Sequence, residues 1–121
     1  MNNLRFKDLN EVLKYFYQYL DDKSKQLLKN NHPITFHLSS GMNIRNFLGL
    51  WEENNLTTWF KSVGIFHPDD MSNIILTSLK RKLLNQDIDL DNQIKYIENY
   101  LKNKDSIESI YFKKSTRKEY V

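Results

Sequence analysis

His67, Pro68, Asp69 and Asp70 stand in a row directly ahead of the apolar run "MSNIILTSLKRKLL". An imidazole beside two carboxylates is a set of groups that can ligate a metal ion or exchange protons. The same four residues also describe how a helix begins. Proline is favoured at the first helical position, where its missing N–H would have had no partner. Aspartate in the first turn faces the positive end of the helix dipole, a gain of about 0.3–1 kcal/mol each. A metal site would need further ligands, and the other histidines are His32 and His37. The chain has no His-x-x-x-His or Glu-x-x-His spacing. The expected role of His67, Asp69 and Asp70 is therefore structural, with no metal and no cofactor.

Arg45, in "GMNIRNFLGLW", is the second group with chemistry to offer. It is flanked by Ile44 and Phe47, at the edge of an apolar stripe. An arginine there either binds an anion or forms charge-assisted hydrogen bonds to a carboxylate on another helix. The second reading makes Arg45, His67, Asp69 and Asp70 a clasp between two helices. Other catalytic equipment is not evident. Cysteine is absent, three glycines are too few for a phosphate-cradling loop, and no nucleophile elbow exists. Ser39 and Ser40 are too close in sequence to His37 to form a nucleophile–base pair. No catalytic residue is assigned.

Aromatic residues are plentiful: seven Tyr, seven Phe and two Trp. In "KYFYQYL", Phe16 and Leu20 read as core, whereas Tyr15 and Tyr19 lie four apart on an outer face. Tyr96 and Tyr100 repeat that spacing. A rigid ring with one polar tip gives contact area at low entropic cost, so surface tyrosines suit protein interfaces. Asp21-Asp22 and the Asp87, Asp89 and Asp91 of "DIDLD" are the candidate acidic patches beside them.

The elements that must position these groups read as helices. Leu9, Val12, Leu13, Phe16 and Leu20 follow helical spacing, with Asp8 and Glu11 placed as a capping box. A short helix is expected from Asp22 to Asn30. Ile44, Phe47, Leu48 and Trp51 form the next inward stripe. Gly41 and Gly49, eight apart on that helix, suggest close approach of another backbone. Leu56, Trp59, Phe60 and Val63 form a further stripe, capped by Asn54 or Asn55 and stopped by Gly64. Ile75, Leu76, Leu79 and Leu83 follow the His-Pro-Asp-Asp start. Leu90, Ile94, Ile97 and Leu101 make the last clear stripe. A short extended segment is possible at Ile34 to Phe36, but nothing alternates long enough for a sheet. The expectation is an all-α, compact, single-domain bundle of five to seven amphipathic helices. The helical domain is expected over 1–112, with a short docked turn at Ile107 to Phe112. A basic, frayed tail is expected over 113–121.

Composition sets outer bounds. Of 121 residues, 40% are hydrophobic and 27% charged, the balance of one folded domain. The net charge of +3 resides in the tail, where Lys113, Lys114, Arg117 and Lys118 face only Glu119. The remaining 14 basic and 14 acidic residues cancel (18 less 4, and 15 less 1). A neutral body argues against nucleic acid, which is usually gripped by a basic folded face. No run of about 18 apolar residues is present to span a membrane. "MNNLRFKDLNE" lacks the pattern of a signal peptide, so the cytoplasm is the expected location. Alanine is absent while Asn, Lys and Ile abound, a bias expected of an AT-rich bacterial or accessory gene.

Three blocks carry a family resemblance: "GMNIRNFLGLW" (41–51), "GIFHPDDMSNIILTSLKRKLLN" (64–85) and "DNQIKYIENYL" (91–101). Together they resemble a family of small bacterial domains of unknown function. Asn73 departs from a glycine common in that family, and Phe47-Leu48 replace a more aromatic pair. The resemblance implies a small helical domain and no known reaction. Its members resemble short accessory proteins, a profile similar to immunity proteins that neutralise a partner toxin. The expected function is thus a non-enzymatic protein-binding module, an immunity protein with a toxin as partner. The alternatives are a metal-binding or hydrolytic domain using the His-Pro-Asp-Asp motif, or a nucleic-acid-associated protein acting through the basic tail. Oligomeric state is not legible.

Overall fold

The computed structural model describes residues 5–31 and 40–102. The expectations for His32, His37, the Ile34–Phe36 segment and the chain after residue 102 lie outside those residues. Among the described residues the protein is all-α, with six helices and no strand. In order they are α1 (Leu9–Tyr19), α2 (Asp22–Asn30), α3 (Ser40–Leu48), α4 (Asn55–Ser62), α5 (Pro68–Leu83) and α6 (90–102). The chain divides into two compact units, Met1–Leu90 and Asp91–Val121.

In the first unit α5 is the central element, packing against α1, α2 and α3. Its sequence explains the position. Met71, Ile74, Ile75, Leu76 and Leu79 are all buried, and between them Ser72 and Ser78 are buried too. A helix apolar on one stripe can cover one neighbour; one buried on most of its circumference must sit among several. Leu9, Val12 and Leu13 of α1, Leu28 of α2, Leu48 of α3, and Leu56 and Phe60 of α4 complete the core, with Leu50 and Ile65 from the connections.

Helix starts follow side-chain caps. Asp8 accepts the N–H of Glu11 at 3.1 Å, while the Glu11 carboxylate takes the N–H of Lys7 at 2.7 Å rather than that of Asp8. The expected capping box is therefore shifted by one residue. Asn54 and Thr57 form a reciprocal box at the start of α4. His67 caps α5, its Nδ1 accepting the N–H of Asp69 at 3.0 Å.

The ends of α3, α4 and α5 share one device. After α3, α4 and α5 the chain takes a left-handed backbone at Gly49 (φ 63°), Gly64 (φ 92°) and Asn85 (φ 59°). The following N–H groups then turn back: Leu50 onto the Arg45 carbonyl, Ile65 onto Phe60 and Gln86 onto Arg81. Each closure satisfies carbonyls that a helix end leaves without partners. This corrects the reading of Gly49 as an interior glycine admitting another backbone. Gly49 ends α3, and the stripe that was to continue to Trp51 stops with it. Trp51 is 62% exposed instead of facing inward, and Phe47 is exposed as well. The buried side of α3 is rotated toward Arg45 and Leu48.

In the second unit the described residues are 91–102, all helical. None of them is buried; Ile94 and Ile97 are half-buried, and Tyr96 and Tyr100 are exposed.

Candidate functional site

The most site-like residues close into a circuit. Arg45, 7% exposed, directs Nε to the Asp69 carboxylate at 3.4 Å and Nη1 to the Ser72 hydroxyl oxygen at 3.0 Å. The Ser72 hydroxyl donates to the Asp69 carbonyl at 3.0 Å. Asp69 is thus engaged through its N–H, its carbonyl and its carboxylate. The arrangement ties α3 to the first turn of α5. Asp70 follows in the same turn, half-buried. Ser72, absent from the sequence-derived set, supplies the buried acceptor. Its signal was a serine three residues after Asp69, on the helix face that also carries Ile75, Leu76 and Leu79.

His67 is half of a second pairing. Its ring meets that of Trp51 edge-on, centroids 5.7 Å apart. With Nδ1 accepting a backbone N–H, the imidazole proton sits on Nε2 in this arrangement. Its lone pair at Nδ1 is already used by the helix cap. Among the described residues no group of three or more His, Asp or Glu side chains is placed to hold a metal ion. The clasp also leaves no buried polar side-chain atom without a partner among those residues.

The residues expected to bind a partner fall on several elements. Tyr15 and Tyr19 meet on α1 with ring centroids 4.8 Å apart. Tyr15 also stacks on Phe47 of α3 at 5.9 Å and an interplanar angle of 25°. Phe6 meets the edge of Tyr15 at 5.5 Å. Together with Phe16, Leu20, Asn43 and Ile44, the rings of Tyr15, Tyr19 and Phe47 line an open groove between α1 and α3. Phe16 and Leu20, expected in the core, are half-buried walls of that groove. Tyr19 at its edge is 65% exposed.

The acidic residues are mostly occupied locally. Asp21 caps α2, accepting the Ser24 N–H at 2.7 Å. That bond, joined by one from the Ser24 hydroxyl, holds the Asp21 carboxyl below its ordinary value. Asp22 opens α2. Asp87 accepts the Asp89 N–H at 3.3 Å, and Asp89 lies 4.0 Å from Arg81. Asp91, Tyr96 and Tyr100 belong to the second unit. A further aromatic feature was not anticipated: Trp51 and Phe66, 62% and 66% exposed, both in loops bordering the clasp.

The fold is a small helical domain in which Arg45, Asp69 and Ser72 are bonded to one another, and most of the exposed large hydrophobic side chains are aromatic. The chain belongs to the family described as Domain of unknown function (DUF6794), which it matches over residues 7–83, more than half its length. The match takes in α1 through α5 and so reaches further toward the N-terminus than the three sequence blocks; the block at 91–101 lies beyond it. No curated protein and no solved structure matches the chain. Among the described residues no helix is long and apolar enough to cross a membrane.

Proposed function

We propose that the protein is a non-enzymatic binding module, a bacterial immunity protein that binds and neutralises a toxin in the cytoplasm. The observation that carries the reading is the aromatic groove between α1 and α3. Tyr15 and Phe47 stack across the two helices and Tyr19 projects beside them, so a preformed ring surface stands at the protein's exterior. Ordered aromatic rings lose little side-chain entropy when a partner covers them, and Tyr is enriched among residues that dominate binding energy. The clasp of Arg45, Asp69 and Ser72 supports the same reading from the other side. Its groups are committed to one another and to the α5 start, which leaves recognition to the surface.

The neutral charge of residues 1–111 fits a toxin that is not strongly basic, because inhibitors of basic partners gain from acidic complementarity. Co-expression with the product of the adjacent gene tests the proposal. A complex that survives purification, together with restored growth of cells expressing that product, is the expected result. No complex and no restored growth would remove the basis for it.

A further inference from the structure

Tyr17 sits two residues from both Tyr15 and Tyr19, and therefore about 200° around α1 from each. It belongs to a different face, and its surroundings are basic rather than aromatic. The Lys25 ammonium, from α2, lies over the Tyr17 ring at 5.0 Å from the centroid. The Lys82 ammonium, from α5, lies over the same ring at 5.5 Å. Lys14, Gln18 and Asn85 join Tyr17 and Lys82 in lining a surface pocket.

We propose that Tyr17, Lys14, Lys25 and Lys82 form a binding site for a multiply charged phosphate-type oxyanion. Lys25 of α2 and Lys82 of α5 meet at the Tyr17 ring of α1, Lys14 lines the adjoining pocket with Lys82, and like charges so gathered repel each other. The ring quadrupole attracts each ammonium and offsets part of that repulsion. Among the described residues none of the three lysines forms an ion pair within 4.0 Å. Of the last-turn cations of α5, Lys80 donates to the Asn31 carbonyl and Arg81 to the Ile88 carbonyl, whereas Lys82 turns onto Tyr17. An oxyanion between the lysines replaces repulsion by attraction and takes further donors from the Gln18 and Asn85 amides.

The chemistry narrows the ligand. With two ammonium groups already held at the Tyr17 ring, a nucleobase would have to compete with them to stack there. The site has lysines and no arginine, so it offers mobile point charges rather than a planar fork suited to a single carboxylate. Small phosphate species meet both conditions, and two linked phosphoryl groups match three cations better than one.

The test is a titration of the full chain with inorganic phosphate and with pyrophosphate, followed by NMR at the Tyr17 ring and the Asn85 side-chain amide. Sodium chloride at matched ionic strength is the control. Saturable shifts confined to these residues, tighter for pyrophosphate, are expected. In the Lys25→Gln, Lys82→Gln double variant, and to a lesser degree in each single variant, affinity falls at least about tenfold, or ~1.4 kcal/mol. Shifts reproduced by chloride, or affinity unchanged in the variants, would overturn the site. The readout needs no protein partner, so it stands apart from the immunity proposal.

Discussion

The guanidinium of Arg45, in α3, meets the carboxylate of Asp69, in the first turn of α5, at 3.4 Å. The two ends of this pair differ in environment: Arg45 is buried, while the Asp69 side chain is 43% exposed. Among the described residues, removing the exposed partner leaves the buried charge with Ser72 alone. Removing the buried partner leaves an aspartate that water can solvate and that still caps the helix dipole.

Asp69→Ala is therefore expected to lower unfolding free energy by about 1–3 kcal/mol, the cost of a buried charged donor deprived of its acceptor, reduced by solvent screening at Asp69. Arg45→Met keeps the apolar stem and removes the charge, and it should cost less than Arg45→Ala. Urea denaturation of the three variants checks the order.

Asn54 joins two helices. Its Oδ1 accepts the Thr57 N–H at 2.9 Å, and its Nδ2 donates to the carbonyls of Gly49 at 3.0 Å and Leu48 at 3.3 Å. Loss of a good N-cap costs about 0.5–2 kcal/mol, and Asn54→Ala should fall at the upper end because the α3 terminus loses donors as well. Gly49→Ala should also destabilise, since φ is +63° and the added Cβ would lie 3.2 Å from Asn54 Nδ2. Thermal melts of both variants report the effect.

The cap at Asp21 gives a pH dependence with a definite sign. Its folded carboxyl is held below the ordinary value of 3.8 by the Ser24 N–H and then the Ser24 hydroxyl. A depressed carboxyl contributes stability that is fully present above the unfolded value and is lost as pH falls through the folded one. The start of α2 should thus loosen in acid below pH 3.8. Asp21→Asn, which keeps the acceptor without the charge, should remove that component. NMR titration of the Asp21 carboxyl and the Ser24 amide measures it.

Trp51→Ser is expected to change unfolding free energy by no more than about 0.5 kcal/mol, because the side chain is 62% exposed and its ring contact is to an exposed histidine. A core tryptophan would cost about 3–5 kcal/mol on truncation. Chemical denaturation separates these outcomes widely.

How much of this could be read from the sequence depended on how local each cause was. The α5 start was legible because Pro68, Asp69 and Asp70 act within one turn, and α2 was legible from Asp22 and Asn30. The end of α3 was not. Ile44, Phe47, Leu48 and Trp51 keep helical spacing straight across Gly49, and spacing alone cannot tell a tolerated glycine from a terminating one. Once the helix stops there, Trp51 leaves the stripe and Arg45 shares the buried side with Leu48. Asn85 ends α5 as the glycines end α3 and α4, a use of asparagine's tolerance for the left-handed region. The Arg45–Asp69 pairing could be framed as a question from residue types, but Ser72 could not be added without the packing of α3 on α5. The convergence of Lys25 and Lys82 on Tyr17 is wholly tertiary, spanning three helices.

Under the proposed function the molecule divides its labour: the Arg45–Asp69 clasp holds α3 to α5, and the Tyr15, Tyr19 and Phe47 face meets the partner. The measurement that tests it most directly is the affinity of the adjacent gene's product for Tyr19→Ser and Asp69→Ala proteins, each also followed by thermal melting. Tyr19→Ser is expected to weaken binding by about tenfold or more, ~1.4 kcal/mol, with its melting temperature unchanged. Asp69→Ala is expected to lower the melting temperature while its folded fraction binds as the wild type does. Binding lost with Asp69→Ala at full stability, and retained with Tyr19→Ser, would contradict it.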